Sequence, residues 1–469
     1  MARRYWDPEL ETMPWDEVLA WQAARTAPFV RGLPGRSEFH RALLGPAPST
    51  PAPTGREASL QFLAGLPFTT KDDIRRSQAE PRPGEPFGRH QGVPLPAVVQ
   101  TLSSSGTTGE PVMFALTGTD LDTWRDGIAA GFFTAGIRPD DVVAHLVGLP
   151  GVAGGLPYAD GFRRIGATLA WIGGLPTEKI IALIPRLQAS AVLSTTSFGT
   201  YLADRCQELT GQDAAALGVR TLLGGGEPGM AQPEIRDKII RGWGLQRACE
   251  VMGLGDVMAL LWAECEAGGG MHFCGQRSVA VELIDPASGA VLPWAAGVRG
   301  EAVYTTFARE ATPVLRYRSA DHLVVTAMSC PCGRTSPRIR CVGRTDDMLI
   351  YKAMNVFPSA IRDVVVRGFP GAVEPYLRIW KDHADQVRFD TPIPVDVEAA
   401  AGLAAERYPE VARAVERELR TRLQIRADVT ILDPGTLPRT TYKTPLLHVR
   451  EPAGGAGTAG PFGKIENME

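Results

Sequence analysis

The chain has 469 residues, 44% of them hydrophobic and 22% charged, with a net charge of −3. This is the composition of a soluble globular protein of two or three domains with a well-buried core. A pI near 6.2 gives no electrostatic case for nucleic acid or an anionic membrane as partner, and leaves small-molecule chemistry as the better expectation.

The N-terminal MARRYWDPELETMPW runs straight into acidic and aromatic residues without a continuous apolar segment. It reads as neither secretory signal nor membrane anchor, so a cytoplasmic protein is expected. Apolar positions at helical spacing follow from Asp16 to Arg31, then a Pro/Gly-rich connector from Gly45 to Gly55. LPFTTKDDIRRS, Leu66 to Ser77, offers Thr69 or Thr70 as an N-cap ahead of acidic residues, so a short helix starts there. A Pro-rich loop, Pro81 to Pro96, leads into the strand AVVQTLSS.

That strand opens TLSSSGTTGEPV, Thr101 to Val112: hydroxyl side chains, two separated glycines and a closing proline. Hydroxyls donate to anions, and glycine lets backbone N–H groups approach them, so the stretch reads as a phosphate loop. It is not of the Walker type, because Glu110 rather than Lys follows Gly109.

From Leu121 helices and strands alternate: a helix to Ala135, strands at Val142 to Val147 and Ala167 to Ile172, a helix from Glu178 to Gln188, then AVLSTT, a helix to Leu209 and VRTLLGGG. This alternation predicts a parallel sheet in an α/β domain. The turns GGGEP (224–228) and VMGLGD (251–256) fall at strand ends, where such sheets bind ligands. From about Gly270 short alternating runs suggest a small β subdomain. A final α+β segment carries a helical stretch from Ala399 to Leu423, expected to break at Pro409. The Gly/Ala-rich tail reads as poorly ordered, and there is no internal repeat.

SSSGTTGEP, GGGEP, VMGLGD, YRSAD (317–321), CPCGRTSPRI, GRTDDMLIYKAMNVFPSAI and LPRTTYK resemble, in that order, the core motifs of the adenylate-forming superfamily. The wording of CPCGRTSPRI and DDMLIYKAMNVFPS resembles the phenylacetate-CoA ligase family of aryl-CoA ligases, over almost the whole chain. The resemblance implies an α/β protein with a large N-terminal AMP- and acyl-binding domain over residues 1–343, a small mobile α+β domain over 344–452 and a tail over 453–469. It also implies a ligase that joins a carboxylic acid to the α-phosphate of ATP with Mg²⁺, then passes the acyl group to CoA. Both substrates of the first step are anionic, so charge neutralisation and in-line positioning would carry the rate.

Residue by residue, the resemblance places Ser104, Thr107, Thr108 and Gly109 over the β- and γ-phosphates, and Gly225, Gly226, Glu227 and Pro228 beside adenine and the aryl ring. Asp256 becomes the Mg²⁺ carboxylate, Asp321 the ribose acceptor and Arg344 a further nucleotide contact. Asp346 becomes the hinge between half-reactions, and Lys443 the bridge between substrate carboxylate and α-phosphate. The chain departs from the family pattern at Glu110, Met252, Ala353 and Tyr442, which stand where a lysine, an aromatic residue and two glycines are usual, and Asp256 is one methylene shorter than the usual glutamate.

Cys265, His272, Cys330 and Cys332 form a three-thiolate, one-imidazole set suited to structural zinc, with Cys274 and Cys341 as substitutes. His145, Tyr158 and Phe198 are candidates for an acyl pocket, since aromatic walls favour a flat ring and a histidine can bond an ortho amino or hydroxyl group. The leading expectation is therefore an AMP-forming aryl-CoA ligase acting on a benzoate-type acid. Two alternatives are acyl transfer to a carrier-protein thiol or an amine, and a zinc-stabilised nucleotide-binding protein without turnover.

Overall fold

The computed structural model describes residues 3–46, 53–79, 82–103, 112–147, 151–227, 229–344, 347–352, 354–383, 386–438 and 445–450. The described residues up to 344 form one compact unit and those from 347 onward a second.

In the first unit, strands β1 (Val98–Ser103) and β2 (Met113–Thr117) pair as an antiparallel hairpin, Ser103 opposite Met113. The strands that follow are β3 (Val142–His145), β4 (Thr168–Trp171), β5 (Ala191–Ser194), β6 (Thr221–Gly225), β7 (Arg247–Leu254), β8 (Met258–Glu264), β9 (Met271–Phe273), β10 (Val279–Ile284), β11 (Arg299–Thr306), β12 (Tyr317–Ala327) and β13 (Arg338–Arg344). They build one eleven-stranded sheet in the order β10-β11-β12-β13-β9-β8-β7-β6-β5-β3-β4. The β4-β3-β5-β6-β7 part is parallel, as the alternating pattern predicts, with a helix in each crossover. The runs expected as a β subdomain from Gly270 are continuous with it, because β7 turns back antiparallel onto β8 and pairing then passes through β9 to β13.

The helix Gly118–Thr134 begins with a capping box in which the Thr117 hydroxyl accepts from the Asp120 N–H and the Asp120 carboxylate accepts from the Thr117 N–H. Asp120 also accepts from the N–H groups of Glu310 and Ala311, so one buried acid ties the helix start to the loop after β11. Phe132 of this helix stacks on Phe162 with ring centroids 4.0 Å apart. Its glycines set how closely it approaches β8. A Cβ on Gly131 would lie 2.2 Å from Leu260 Cδ2, and one on Gly127 2.8 Å from Met258 Sδ.

Two sequence expectations are corrected. The helix expected from Asp16 to Arg31 runs Trp15–Arg36, carrying Pro28 and Pro34 within it. Ala399 ends a strand (Ile393–Ala399), and the helix that follows is Tyr408–Leu423 with Pro409 in its first turn. Proline there lacks only an N–H that has no intrahelical acceptor, so it opens the helix rather than breaking it. Val411, Val415 and Leu419, four residues apart, bury one face of this helix in the second unit's core. That unit has a four-stranded sheet in the order Ala427–Leu432, Ile393–Ala399, Val373–Lys381, Leu447–Val449. No helix among the described residues is long and apolar enough to cross a membrane.

Gly131→Val should destabilise the protein by about 1–3 kcal/mol, because the fully buried Leu260 has nowhere to move. Gly118→Ala, with open space around its Cβ, should leave the melting temperature unchanged or raise it. Thermal melts of the two variants check the pair.

Candidate active site

Residues 104–111 lie outside the described residues, and with them Ser104, Thr107, Thr108 and Gly109. Pro228, Asp346 and Lys443, and the departures Glu110, Ala353 and Tyr442, also lie outside them. The roots of the hairpin are fixed on both sides. The Ser103 N–H donates to the Gly151 carbonyl at 2.7 Å, while the Gln78 side chain exchanges two hydrogen bonds with the Met113 backbone at 2.7 and 3.0 Å.

At the end of β6 the backbone passes so close to β7 that a Cβ on Gly225 would lie 2.3 Å from the Val251 carbonyl oxygen. Gly226 has φ +81°, which favours glycine. The Glu227 carboxylate turns toward the Thr196–Thr210 helix and accepts from the Ser197 N–H at 2.6 Å, satisfying a first-turn donor.

Asp256 sits in the turn between β7 and β8, only 2% exposed. The Tyr317 hydroxyl donates to its carboxylate, Lys71 Nζ lies 3.9 Å from the same oxygen, and Arg309 donates to its backbone carbonyl at 2.7 Å. Burial pulls the Arg309 guanidinium down to about 10. The carboxylate therefore already has a hydroxyl donor and a nearby ammonium. Asp321 and Arg344 face each other across β12 and β13, with Arg344 Nη1 2.9 Å from Asp321 Oδ1, so two residues assigned to the nucleotide come together as an ion pair.

The sequence reading did not pick out Lys71, Tyr317 or Arg309 as site residues, nor a group of acids on β7 and β8. Arg236 grips Glu264 at 2.6 Å, and the Glu250 N–H donates to Glu264 at 3.1 Å. Burial, reinforced by the negative charge of Glu264, pushes the Glu250 carboxyl up to about 7. Lys71 carries one legible signal: a cation in the first turn of a helix opposes the helix dipole and calls for a partner.

His145, at the end of β3, is fully buried and stacks on Trp171 at 5.3 Å, with Tyr158 and Phe162 at 6.2 and 6.1 Å. Burial holds its pKa down to about 4, so the ring is neutral. Nε2 lies 3.1 Å from the Gly155 carbonyl and must carry the proton. Nδ1 is then an acceptor, and it has no partner among the described residues. Tyr158 donates to the Ala259 carbonyl at 2.8 Å, and the Phe198 ring pairs with Tyr201.

Cys265, His272, Cys330 and Cys332 place their donor atoms within 4.8 Å of one another. His272 Nδ1 lies 3.0 Å from the Ser336 carbonyl, which fixes the proton there and turns the Nε2 lone pair toward Cys332, 3.5 Å away. The hydrogen bond from the Cys265 thiol holds the Cys332 thiol well below its ordinary range. Three sulfurs and one correctly oriented imidazole fit a closed tetrahedral Zn²⁺ site. Cys274 instead donates to the His272 carbonyl and Cys341 to that of Gly343, so neither joins the set.

Glu250→Gln should raise the melting temperature at about pH 8 and leave it unchanged near pH 4. With its folded pKa above the unfolded value, the carboxyl takes up a proton on folding, so stability is lost as pH rises from about 4.5 to 7 and the neutral amide escapes that loss. Melts of both proteins across this range check it.

Residues 353–448 match the AMP-binding enzyme C-terminal domain. The chain is 30% identical over 449 residues to a phenylacetate-coenzyme A ligase of Thermus thermophilus, covering 93% of this chain and 97% of the relative. It is 31% identical over 390 residues to the enzyme of that name from Aromatoleum evansii, covering 82% and 83%. Among solved structures, a 2-hydroxyisobutyryl-CoA ligase in its postadenylation state, in complex with 2-HIB-AMP, superimposes with a TM-score of 0.78 at 25% identity, over 96% of this chain and 93% of the other. The chain belongs to the phenylacetate-coenzyme A ligase family, the AMP-forming acid–thiol ligases of the adenylate-forming superfamily.

Proposed function

We propose that this enzyme activates an aromatic carboxylic acid of the benzoate type, amino- or hydroxy-substituted, and transfers it to CoA. ATP-dependent acyl-CoA ligation follows from the family. The choice of acid rests on one observation: a neutral, fully buried His145 whose Nδ1 acceptor lacks a partner among the described residues, in a wall of aromatic rings. A ring amino or hydroxyl hydrogen would satisfy that nitrogen, and an acid without one would leave it bare, at a cost of about 1–3 kcal/mol. Tyr158 and Phe198 complete the assigned pocket.

In the first half-reaction a carboxylate oxygen bonds to the α-phosphorus, and the α–β bridging bond breaks with its electrons leaving on pyrophosphate. In the second, the CoA sulfur attacks the acyl carbon, AMP departs and the thiol proton is released. In this reading Lys443 holds carboxylate and α-phosphate together, Ser104, Thr107, Thr108 and Gly109 cradle the outer phosphates, and Asp256 holds the Mg²⁺ that arrives with ATP. Gly225, Gly226, Glu227 and Pro228 flank the adenine and aryl slot, Asp321 and Arg344 serve the ribose end, and Asp346 is the hinge. We further assign a structural Zn²⁺ to Cys265, His272, Cys330 and Cys332. Family membership does not favour the carrier-protein, amine or turnover-free alternatives.

Pyrophosphate release should depend on the acid, with amino- and hydroxybenzoates exceeding benzoate and phenylacetate by about tenfold or more in kcat/KM. Equal rates for all would overturn the choice of acid. In the same assay Lys443→Ala should lose most adenylation yet still form thioester from supplied acyl-adenylate; equal loss of both steps would remove its assigned role. Elemental analysis should find about one zinc per chain, falling with the melting temperature in Cys332→Ser but not in Cys206→Ser.

A further inference from the structure

The loop TLSSSGTTGEPV contains no lysine or arginine and carries a carboxylate, Glu110. A triphosphate beside it needs positive charge from elsewhere, most of all as pyrophosphate leaves. The arginines near the VMGLGD turn are committed: Arg309 to the carbonyls of Asp256 and Val257, and Arg344 to Asp321.

Lys71 is placed differently. It occupies the first position of the Lys71–Gln78 helix, where the helix dipole disfavours a cation. Its backbone is nonetheless fixed. Thr70 and Asp73 form a capping box, and Thr69 bridges to β12 by its N–H to the Arg316 carbonyl at 3.2 Å and its carbonyl to the Arg318 N–H at 2.9 Å. Tyr317, between those partners, holds the Asp256 carboxylate. The same helix ends on Gln78, bonded to Met113 at the root of the loop. The Lys71 side chain is 31% exposed against 3% for that of Asp256, and at 3.9 Å the two make an ion pair without a hydrogen bond. An ammonium held this loosely can be released at small cost.

We propose that Lys71 is a phosphate-binding residue of the adenylation half-reaction, resting on Asp256 in the free enzyme and turning to the β- and γ-phosphates when ATP enters with its Mg²⁺. The proposal rests on the reading of the VMGLGD turn as the wall beside the triphosphate. Lys71 acts by its positive charge alone. It offsets the charge that collects on pyrophosphate as the α–β bridging bond breaks, and it replaces the cation that the loop lacks. Once the metal occupies the carboxylate, the ammonium is freed for the phosphates.

The test compares two ligands by calorimetry: the Mg²⁺ complex of α,β-methylene ATP, which cannot react, and AMP, which has no outer phosphates. Lys71→Ala should weaken the triphosphate analogue by about 10- to 100-fold and leave AMP unchanged, and Lys71→Arg should restore most of the difference. Adenylation should fall while thioester formation from supplied acyl-adenylate is kept. Equal weakening of both ligands, or an unchanged triphosphate affinity in a variant with wild-type melting temperature, would overturn the proposal. If Lys71→Ala melts early, Lys71→Gln, which keeps the aliphatic stem, must show the same triphosphate-selective loss. Asp256→Asn separately tests the turn: an unchanged Mg²⁺ dependence of analogue binding would remove the metal role from Asp256, whereas Lys71 stands or falls on the triphosphate against AMP comparison.

Discussion

A carboxylate taken out of water costs several kcal/mol unless hydrogen bonds and opposite charge repay it, and the site is built around meeting that condition at Asp256. Three separate parts of the chain do so. Strand β12 brings the Tyr317 hydroxyl, the Lys71–Gln78 helix brings an ammonium, and the segment after β11 brings Arg309 to the backbone carbonyl. Arg309 is itself buried with its guanidinium 5.4 Å from the rings of Phe114 and Trp124, so the support reaches into β2 and the Gly118–Thr134 helix. Because each partner lies on a different element, fixing the acid also fixes the relative positions of the elements around the turn.

The charges of the first unit follow one pattern. Several buried acids are each matched by an arginine: Glu264 by Arg236, Glu282 by Arg316, Glu301 by Arg318, Glu11 by Arg334. Arg316 and Arg318 each hold their partner through two guanidinium nitrogens, the forked geometry that suits carboxylates. Asp256 is matched instead by a lysine at longer range. A compact ammonium on a flexible stem is easier to displace than a bidentate guanidinium, which is the property an exchange of partners needs. Glu250 departs in the other direction, for its carboxyl is kept close to neutral by burial beside Glu264.

The cysteine–histidine cluster serves another purpose. The Tyr5 hydroxyl donates to the Cys332 carbonyl at 3.1 Å, the Thr335 N–H donates to the Glu11 carbonyl at 3.0 Å, and Arg334 pairs with Glu11 at 2.8 Å. The C-P-C turn is thus the anchor onto which the N-terminal segment folds, some 300 residues away in sequence.

Much of this was legible in the residues. Periodicity predicts the alternating helices and strands, glycine spacing marks the strand-end turns, and the ordered motifs identify the family, because each depends on neighbours within a few residues. The spacing of Cys265, His272, Cys330 and Cys332 likewise selects the donor set that the fold assembles. Tertiary structure alone decided the rest. Local pattern cannot show that β8 to β13 continue the parallel sheet, that Glu227 turns to a helix start, that Pro409 opens its helix, or that Tyr317 and Lys71 converge on Asp256. A sequence records which chemical groups a chain carries and what each turn of backbone prefers. Which groups share a buried carboxylate is settled only when burial forces distant polar atoms to find partners.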